Sequence, residues 1–277
     1  MHVKDVTADL GHLVNTGVRP YIHMSTPPSG LARQNGQYGL SPCLVRDARA
    51  RAHQVDICTQ GFEMFELSTD LACFDNPAAI TTTYYAEIAC AAQALCGAKD
   101  VRVFDHQIRR REPGRPALGF GRPGDGSAPT ALGRAHNDYS RASAMRRFKS
   151  VFPELLHDVP FAILNFWRPI ENPVLDTPLA VCDARTVQAT DWVSADVIYP
   201  ERMGEIQLLE HRPGHDWYYY PAMQPHEVLV FVSYASQVPQ RSCPLPEMTP
   251  HCAFDLPDIP QGAPLRQSIE TRCMVLL

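Results

Sequence analysis

Short β-rich segments separated by proline-rich turns constrain the fold of this chain more than any other feature. Eight segments hold β-branched or aromatic residues between turn formers, at 18–24, 100–109, 160–167, 179–183, 205–209, 216–220, 227–234 and 268–276. The 25 prolines are consistent with many turns. The last segment is nearly continuous apolar sequence, which is typical of a strand buried in a sheet core. The pattern predicts a mainly β protein.

One helix is predicted before most of these strands. Asn76 and Pro77 form an N-terminal cap with proline in the first turn, apolar residues follow at helical spacing, and Gly97 provides the stop. The threonines at 81–83 weaken the first half of this helix. A helix early and strands late predict helices packed against a double-sheet β barrel. The sequence shows no internal repeat and no domain boundary. We therefore predict a single domain over 1–277, with a helix and strand support region at 1–99 and the core at 100–277.

Charge and composition argue against several function classes. The 25 basic and 30 acidic residues give a net charge of −5, and no basic stripe with interleaved aromatics occurs, so we predict no nucleic-acid partner. The basic runs at 109–111 and 146–149 are predicted to be solvated surface. No apolar run reaches the roughly 18 residues that a membrane span needs, and the N-terminus lacks a secretory signal. Nine cysteines without a C-x-x-C pair predict free thiols and a cytoplasmic protein.

The segment 112–135 differs in composition from the rest of the chain. It holds six glycines and four prolines and has no periodicity. It formally contains G-x-G-x-x-G at 119–124, but no helix opens on the last glycine, so we reject a dinucleotide site. Loops of this length are usually lids, binding loops or disordered. We predict a lid that leads directly into His136.

His136 and Asp138 form an H-x-D motif that could supply two ligands of an iron site. Residues i and i+2 of an extended segment point the same way, and non-haem Fe(II) oxygenases hold their metal by two histidines and one carboxylate on one octahedral face. In a chain with 11 histidines and 30 acidic residues, the motif alone proves little. The hypothesis depends on a third ligand.

Five downstream histidines could complete that face: His157, His211, His215, His226 and His251. His251 is favoured because it lies shortly before the C-terminal strand, where Arg266 and Ser268 form an R-x-S motif. An arginine with a hydroxyl two residues on can hold the distal carboxylate of a dicarboxylate. His226 remains a rival for the metal and Arg272 a rival for the carboxylate. Arg272 alternates with apolar residues of the last strand and could equally be an outward-facing charge.

Several sequence blocks in order also resemble a known family. "HNDYS", "LNFWRPI", "TPLAVCDARTV", "DWYYYPAMQPHEVLVFVSYAS", "HCAFDLP" and "RQSIETR" resemble the small oxidoreductases named for a cephamycin-pathway methoxylation protein and a fungal endoperoxide-forming enzyme, also called gibberellin desaturase-like. The resemblance covers about 100–277. One departure is His226, at a position in P-x-M-x-x-x-E where we expect an acidic or similar residue.

The resemblance implies a double-stranded β-helix (jelly-roll, cupin-like) oxygenase core that uses Fe(II), 2-oxoglutarate and O2. Carried over by motif, it implies that His136, Asp138 and His251 bind iron and that Arg266 and Ser268 bind 2-oxoglutarate. It further implies oxidation of an unactivated C–H of a small natural product by hydroxylation, desaturation or oxidative cyclisation in secondary metabolism. Two alternatives are a metal-binding jelly roll that does not use 2-oxoglutarate and a non-catalytic subunit of a tailoring enzyme.

Four further residues are candidates for the same pocket. Asn165 interrupts an apolar run on the face that also carries Trp167, and a buried amide needs partners. Those partners could be a neighbouring strand or the co-substrate. Trp167, Arg168 and Tyr139 are candidates for substrate contacts, with Tyr139 equally explained by packing. The sequence leaves open whether the chain forms a homodimer.

Overall fold

The computed structural model describes residues 4–116, 118–119, 131–157, 159–236 and 244–277. Within these residues two sheets contain all the named strands. The strands are β1 (Val6–Val14), β2 (Tyr21–His23), β3 (Gln37–Asp47), β4 (Phe62–Glu66), β5 (Asp100–Arg110), β6 (His136–Asn137), β7 (Phe161–Pro169), β8 (Leu179–Cys182), β9 (Trp192–Ile198), β10 (Met203–Leu209), β11 (Trp217–Tyr219), β12 (Glu227–Ala235), β13 (His251–Ala253) and β14 (Gln267–Leu276). All eight predicted strands are confirmed, with bounds that shift by a few residues.

The larger sheet has nine strands in the order β1-β3-β11-β8-β13-β6-β10-β9-β2. Its first edge curls back, because β1 makes isolated bridges from Gly11 to Arg134 and from Leu13 to Glu210, beside β6 and β10. The curled sheet has its own apolar core on the face turned away from the smaller sheet, which includes Leu10 and Trp217. This curling is how a jelly roll limits exposed strand edges.

The smaller sheet has five antiparallel strands in the order β4-β12-β7-β14-β5. Its central strands β7 and β12 are buried along their whole length. Successive side chains of a strand point to opposite faces, so each central strand contributes to two cores. Leu164 and Val230 pack against the helices, whereas Trp167 and Phe231 pack against β8 of the larger sheet.

The predicted helix begins and ends where the sequence indicates. The Asn76 side chain accepts hydrogen bonds from the backbone of α1 (Pro77–Ala79), and Gly97 closes α2 (Tyr85–Cys96) with a left-handed φ of 58°. Between them Ile80–Tyr84 forms a π-helical turn. There the Thr81 and Thr82 hydroxyls donate to carbonyls three and four residues earlier. Hydroxyl bonding of this kind competes with regular helix geometry.

A second helix, α3 (Arg141–Val151), was not predicted from the sequence. Ser140 caps it, because its hydroxyl accepts from the Ser143 backbone and the Ser143 hydroxyl accepts in return from the Ser140 N–H. The helix buries Ala144 and Phe148, and the Phe148 ring stacks on Phe161 of β7 at 4.7 Å. It therefore anchors the chain directly after Asp138.

Residues 1–99 contribute strands to both sheets, since β1, β2 and β3 belong to the larger sheet and β4 to the smaller one. In the described residues no helix is both long and apolar enough to cross a membrane. Among the described residues, seven cysteines are free thiols, as expected. Cys58 departs from that expectation because it is disulfide-bonded.

Candidate active site

Strand pairing brings His136, Asp138 and His251 together. The short strand β6 lies between β10 and β13, and His136 is the direct Cα partner of His251. Directly opposed residues point to the same face, and the two imidazole rings lie 4.3 Å apart. Asp138 follows β6, with its Oδ1 3.6 Å from Nε2 of His136. One ligand atom from each of the three residues lies within 4.8 Å of the others.

His226 does not reach this cluster. It is exposed, and its carbonyl accepts a hydrogen bond from the Leu67 backbone at the entry to β12. Of the two histidines that compete as third ligand in the sequence, the structure therefore places only His251 beside His136 and Asp138.

Two of the three side chains, His136 and Asp138, have pKa shifts that favour binding of a divalent cation. Burial, with His251 nearby, lowers the pKa of His136 well below its ordinary value. The Nδ1 of His136 lies 2.8 Å from the Arg134 carbonyl, so with the proton on Nδ1 the Nε2 lone pair is free for a metal. Burial raises the pKa of Asp138, but the charge of Arg272 and the hydrogen bond from Asn165 oppose burial, and that pKa lies below its usual range. A neutral imidazole on His136 and an ionised carboxylate on Asp138 suit the two-histidine, one-carboxylate donor set of Fe(II) oxygenases.

Asn165 and Arg272 both contact Asp138. The Asn165 Nδ2 and the Arg272 Nε each donate to Oδ2 of Asp138 at 2.8 Å. Arg272 also pairs with Glu270 and with Asp105. These three carboxylates outweigh burial and raise the pKa of Arg272 well above its ordinary value. The reading of Arg272 as an outward-facing charge is wrong, because the side chain points into the space between the sheets.

Arg266 lines the same pocket, and Ser268 lies beside it. Arg266 is 3% exposed. Its Nε lies 3.3 Å from the Ser268 hydroxyl, its Nη1 donates to the Thr177 carbonyl at 2.9 Å, and its guanidinium lies 5.3 Å from the Trp167 ring centroid. Such a rigidly held guanidinium is suited to bidentate binding of a carboxylate.

Arg109 is a pocket residue that sequence reasoning missed. It lies on β5 as the Cα partner of Ser268 and lines the pocket together with ligand and anchor residues. Burial lowers its pKa to about 10; burial and the nearby Arg109 lower the pKa of Arg266 to about 9. The buried Arg266 and the half-buried Arg109 place two positive charges close together. They favour an anionic occupant, because an anion offsets their desolvation and mutual repulsion.

The expectation of solvated surface at 109–111 fails for two of the three arginines. Arg109 is half-buried and lines the pocket. Arg111 is buried, pairs with Asp255 and donates to the Thr177 hydroxyl. The sequence signal that could have indicated an inward-facing Arg109 is the alternation along β5, which places residues 105, 107 and 109 on one face of the strand.

The remaining predicted residues divide between the two faces of the smaller sheet. Trp167 lines the pocket. Arg168 points the other way, with its guanidinium 5.7 Å from the Tyr84 ring centroid and a bond to the Pro225 carbonyl. Tyr139 packs in the apolar cluster around α3. The pocket lining in full is Arg109, Leu132, His136, Asp138, Trp167, Leu179, His251, Ala253, Arg266 and Glu270. Of the expected lid at 112–135, residues 117 and 120–130 lie outside the described residues.

A jelly roll with a buried His-Asp-His cluster defines the class of non-haem Fe(II) oxygenases, and comparison with known proteins narrows the class. The family described as "Oxidoreductase/YMDC permease-like domain" matches residues 10–276. The chain is 30% identical over 263 residues to the Fe(II)/2-oxoglutarate-dependent dioxygenase nvfI of Aspergillus novofumigatus. This alignment covers 90% of this chain and 88% of that relative. It is 28% identical to the hydroxylase/desaturase efuI of Hormonema carpetanum, over 86% of this chain and 84% of the relative.

Solved structures agree with the sequence relatives. The iron and alpha-ketoglutarate-dependent endoperoxidase NvfI superposes with a TM-score of 0.84 at 26% identity, over 98% of both chains. The chain therefore belongs to this family of Fe(II)/2-oxoglutarate-dependent oxidoreductases, and the resemblance seen in the sequence is confirmed.

Proposed function

We propose that this protein oxidises an unactivated C–H of a small natural-product molecule, using Fe(II), 2-oxoglutarate and O2, with His136, Asp138 and His251 as the metal ligands. The observation that carries the proposal is the convergence of these three donors in one pocket with the arginines Arg266 and Arg109. The relatives named dioxygenase, hydroxylase/desaturase and endoperoxidase support the reaction class. The iron, when bound, supplies the oxidising chemistry.

The protein's own residues bind and orient the metal and the co-substrate. The His-Asp-His cluster would hold Fe(II) through Nε2 of His136 and one oxygen of Asp138. Arg266 and Ser268 would hold the distal carboxylate of 2-oxoglutarate, because Arg266 is already fixed by Thr177 and Trp167. Arg109 adds a second positive charge to the pocket. Apolar walls, including Leu179 and Trp167, keep water away from the reacting groups.

The substrate class and cellular setting extend this proposal. A small molecule is the substrate, and the acidic net charge of −5 makes nucleic acid an unsuitable partner. The seven free cysteines of the described residues favour the reducing cytoplasm, whereas Cys58 is an exception because it is disulfide-bonded. We further propose that the chain acts as a single domain, because strands from both its halves pair within each sheet.

The decisive experiment adds Fe(II) and then 2-oxoglutarate under anaerobic conditions. We expect a visible metal-to-ligand charge-transfer band that needs both additions and is lost in Arg266→Ala. Metal binding without that band, with 2-oxoglutarate undetected by calorimetry, would instead identify a metal-binding jelly roll of other chemistry. Absence of metal binding would identify a non-catalytic subunit.

A further inference from the structure

The two oxygens of Asp138 lie in different surroundings. Oδ2 accepts from Arg272 Nε and from Asn165 Nδ2, both at 2.8 Å. Oδ1 has neither of these donors and faces Nε2 of His136 at 3.6 Å. An ionised carboxylate can offer both oxygens to a cation, so the unequal surroundings restrict how Asp138 can act.

Both donors are themselves held firmly. Arg272 on β14 is the direct Cα partner of Asn165 on β7 and of Asp105 on β5. The Arg272 guanidinium pairs with Asp105 and Glu270, and Asn165 is fully buried. Three adjacent strands of the smaller sheet therefore build one rigid contact, which reaches across the cavity to Asp138 beside β6 of the larger sheet.

We propose that Arg272 and Asn165 are positioning residues that keep Oδ2 of Asp138 away from the metal, so that Asp138 supplies Oδ1 alone. The two hydrogen bonds occupy both lone pairs of Oδ2, so Oδ2 could join the metal only by giving up at least one of them, and one of the two is to a charged guanidinium. Charge-assisted bonds of this kind are about twice as strong as neutral ones. The inference deepens the proposed function and rests on it.

The consequence is a fixed number of open positions on the metal. A two-histidine, one-carboxylate site leaves three of six octahedral positions open when each protein group supplies one atom. A co-substrate that chelates through two atoms then leaves one position for O2. If both oxygens of Asp138 were bound, the same chelate would fill every remaining position.

The test counts metal-bound waters by water-proton relaxation, with Mn(II) as a redox-inert probe and without 2-oxoglutarate. The variants are Arg272→Met, Asn165→Leu and their combination; leucine is close to asparagine in size and lacks the donor. In the parent protein we expect about three waters, and in the double variant about two, because Oδ2 then takes one octahedral position. Each single variant should fall between these values.

A matched control removes another firmly held arginine. Arg49 pairs through both terminal nitrogens with the buried Glu227, on residues that do not line the pocket. Arg49→Met should keep the parent count of waters. Circular dichroism and thermal melting identify the variants that fold. Either folded single variant is sufficient for the comparison with the parent protein, because each removes one of the two donors to Oδ2.

The outcomes separate the two proposals. Failure of the parent protein to bind Mn(II) overturns the proposed function. Binding with the same number of waters in the parent and in every folded variant overturns only the positioning role. An equal drop in Arg49→Met also overturns it, since the effect would then not be specific to Asp138.

Discussion

The two faces of the smaller sheet are made by the same strands but differ in chemistry. The face toward the helices carries apolar residues, among them Leu164, Phe166 and Val230. The face toward the larger sheet carries, beside the apolar Phe231, the polar Asn165 and Arg272 and the pocket arginine Arg109. Alternation along a strand separates the two sets by a single residue. One face is thus free to stabilise the fold while the other holds charged groups, and substitutions on the two faces should have separable effects.

The largest expected effect is the loss of metal affinity on substitution of a metal ligand, across the cavity from the polar face. His251→Ala should reduce Fe(II) or Mn(II) affinity by more than about 100-fold, since loss of a mere outer-shell partner of a ligand already costs 10- to 100-fold. Calorimetry with the metal measures the change. The matched control is His226→Ala, which alters an exposed histidine and should leave affinity unchanged. The reverse result would assign the third ligand to His226.

On the apolar face, Phe166→Ala should lower the free energy of unfolding by about 3–5 kcal/mol, because it removes a fully buried ring and leaves a cavity. Denaturant unfolding measures this loss. Metal affinity of the folded protein should stay at the parent value. A large loss of metal affinity in the folded variant would show that the two faces are coupled.

Arg266 and Arg168 allow a direct comparison of arginines from opposite sides of the same sheet. Arg266→Met should weaken 2-oxoglutarate binding to the metal-loaded protein by about 2–5 kcal/mol, the usual cost of truncating a buried charged hydrogen-bonding partner. Arg168→Met should leave that affinity unchanged, because the side chain lies against Tyr84 on the helix side. Calorimetry of 2-oxoglutarate binding distinguishes them, and equal losses would contradict the assignment of faces.

The smallest expected effect is at the helix that covers the apolar face. Asn76→Ala removes the side chain that accepts from Ala78 and Ala79 and should cost about 1 kcal/mol of stability. Thermal unfolding would register it, while 2-oxoglutarate affinity should not change. Asn76→Ser, which keeps a capping oxygen, should recover most of the loss.

Local patterns explain which parts of the structure could be predicted. The helix cap at Asn76 and the stop at Gly97 depend on neighbouring residues, and both are confirmed. Eight strands had enough β-branched or aromatic residues between turn formers to be recognised, and all eight are present. Six strands of the described residues were not predicted. Among them, β1, β3, β4 and β9 are longer, whereas β6 and β13 have only two or three residues, which carry no periodicity and are defined by their partners in the sheet.

The sequence by itself determined the order of the motifs: H-x-D first, a later histidine, and R-x-S before the last strand. It also determined which residues of a strand share a face, since alternation is a local property of extended backbone. Tertiary structure decided which face points inward. It also decided that His251 rather than His226 meets His136, and that Arg266 lines the pocket while Arg272 holds Asp138. The physical reason is that strand pairing joins residues more than a hundred positions apart, and no local pattern encodes that register.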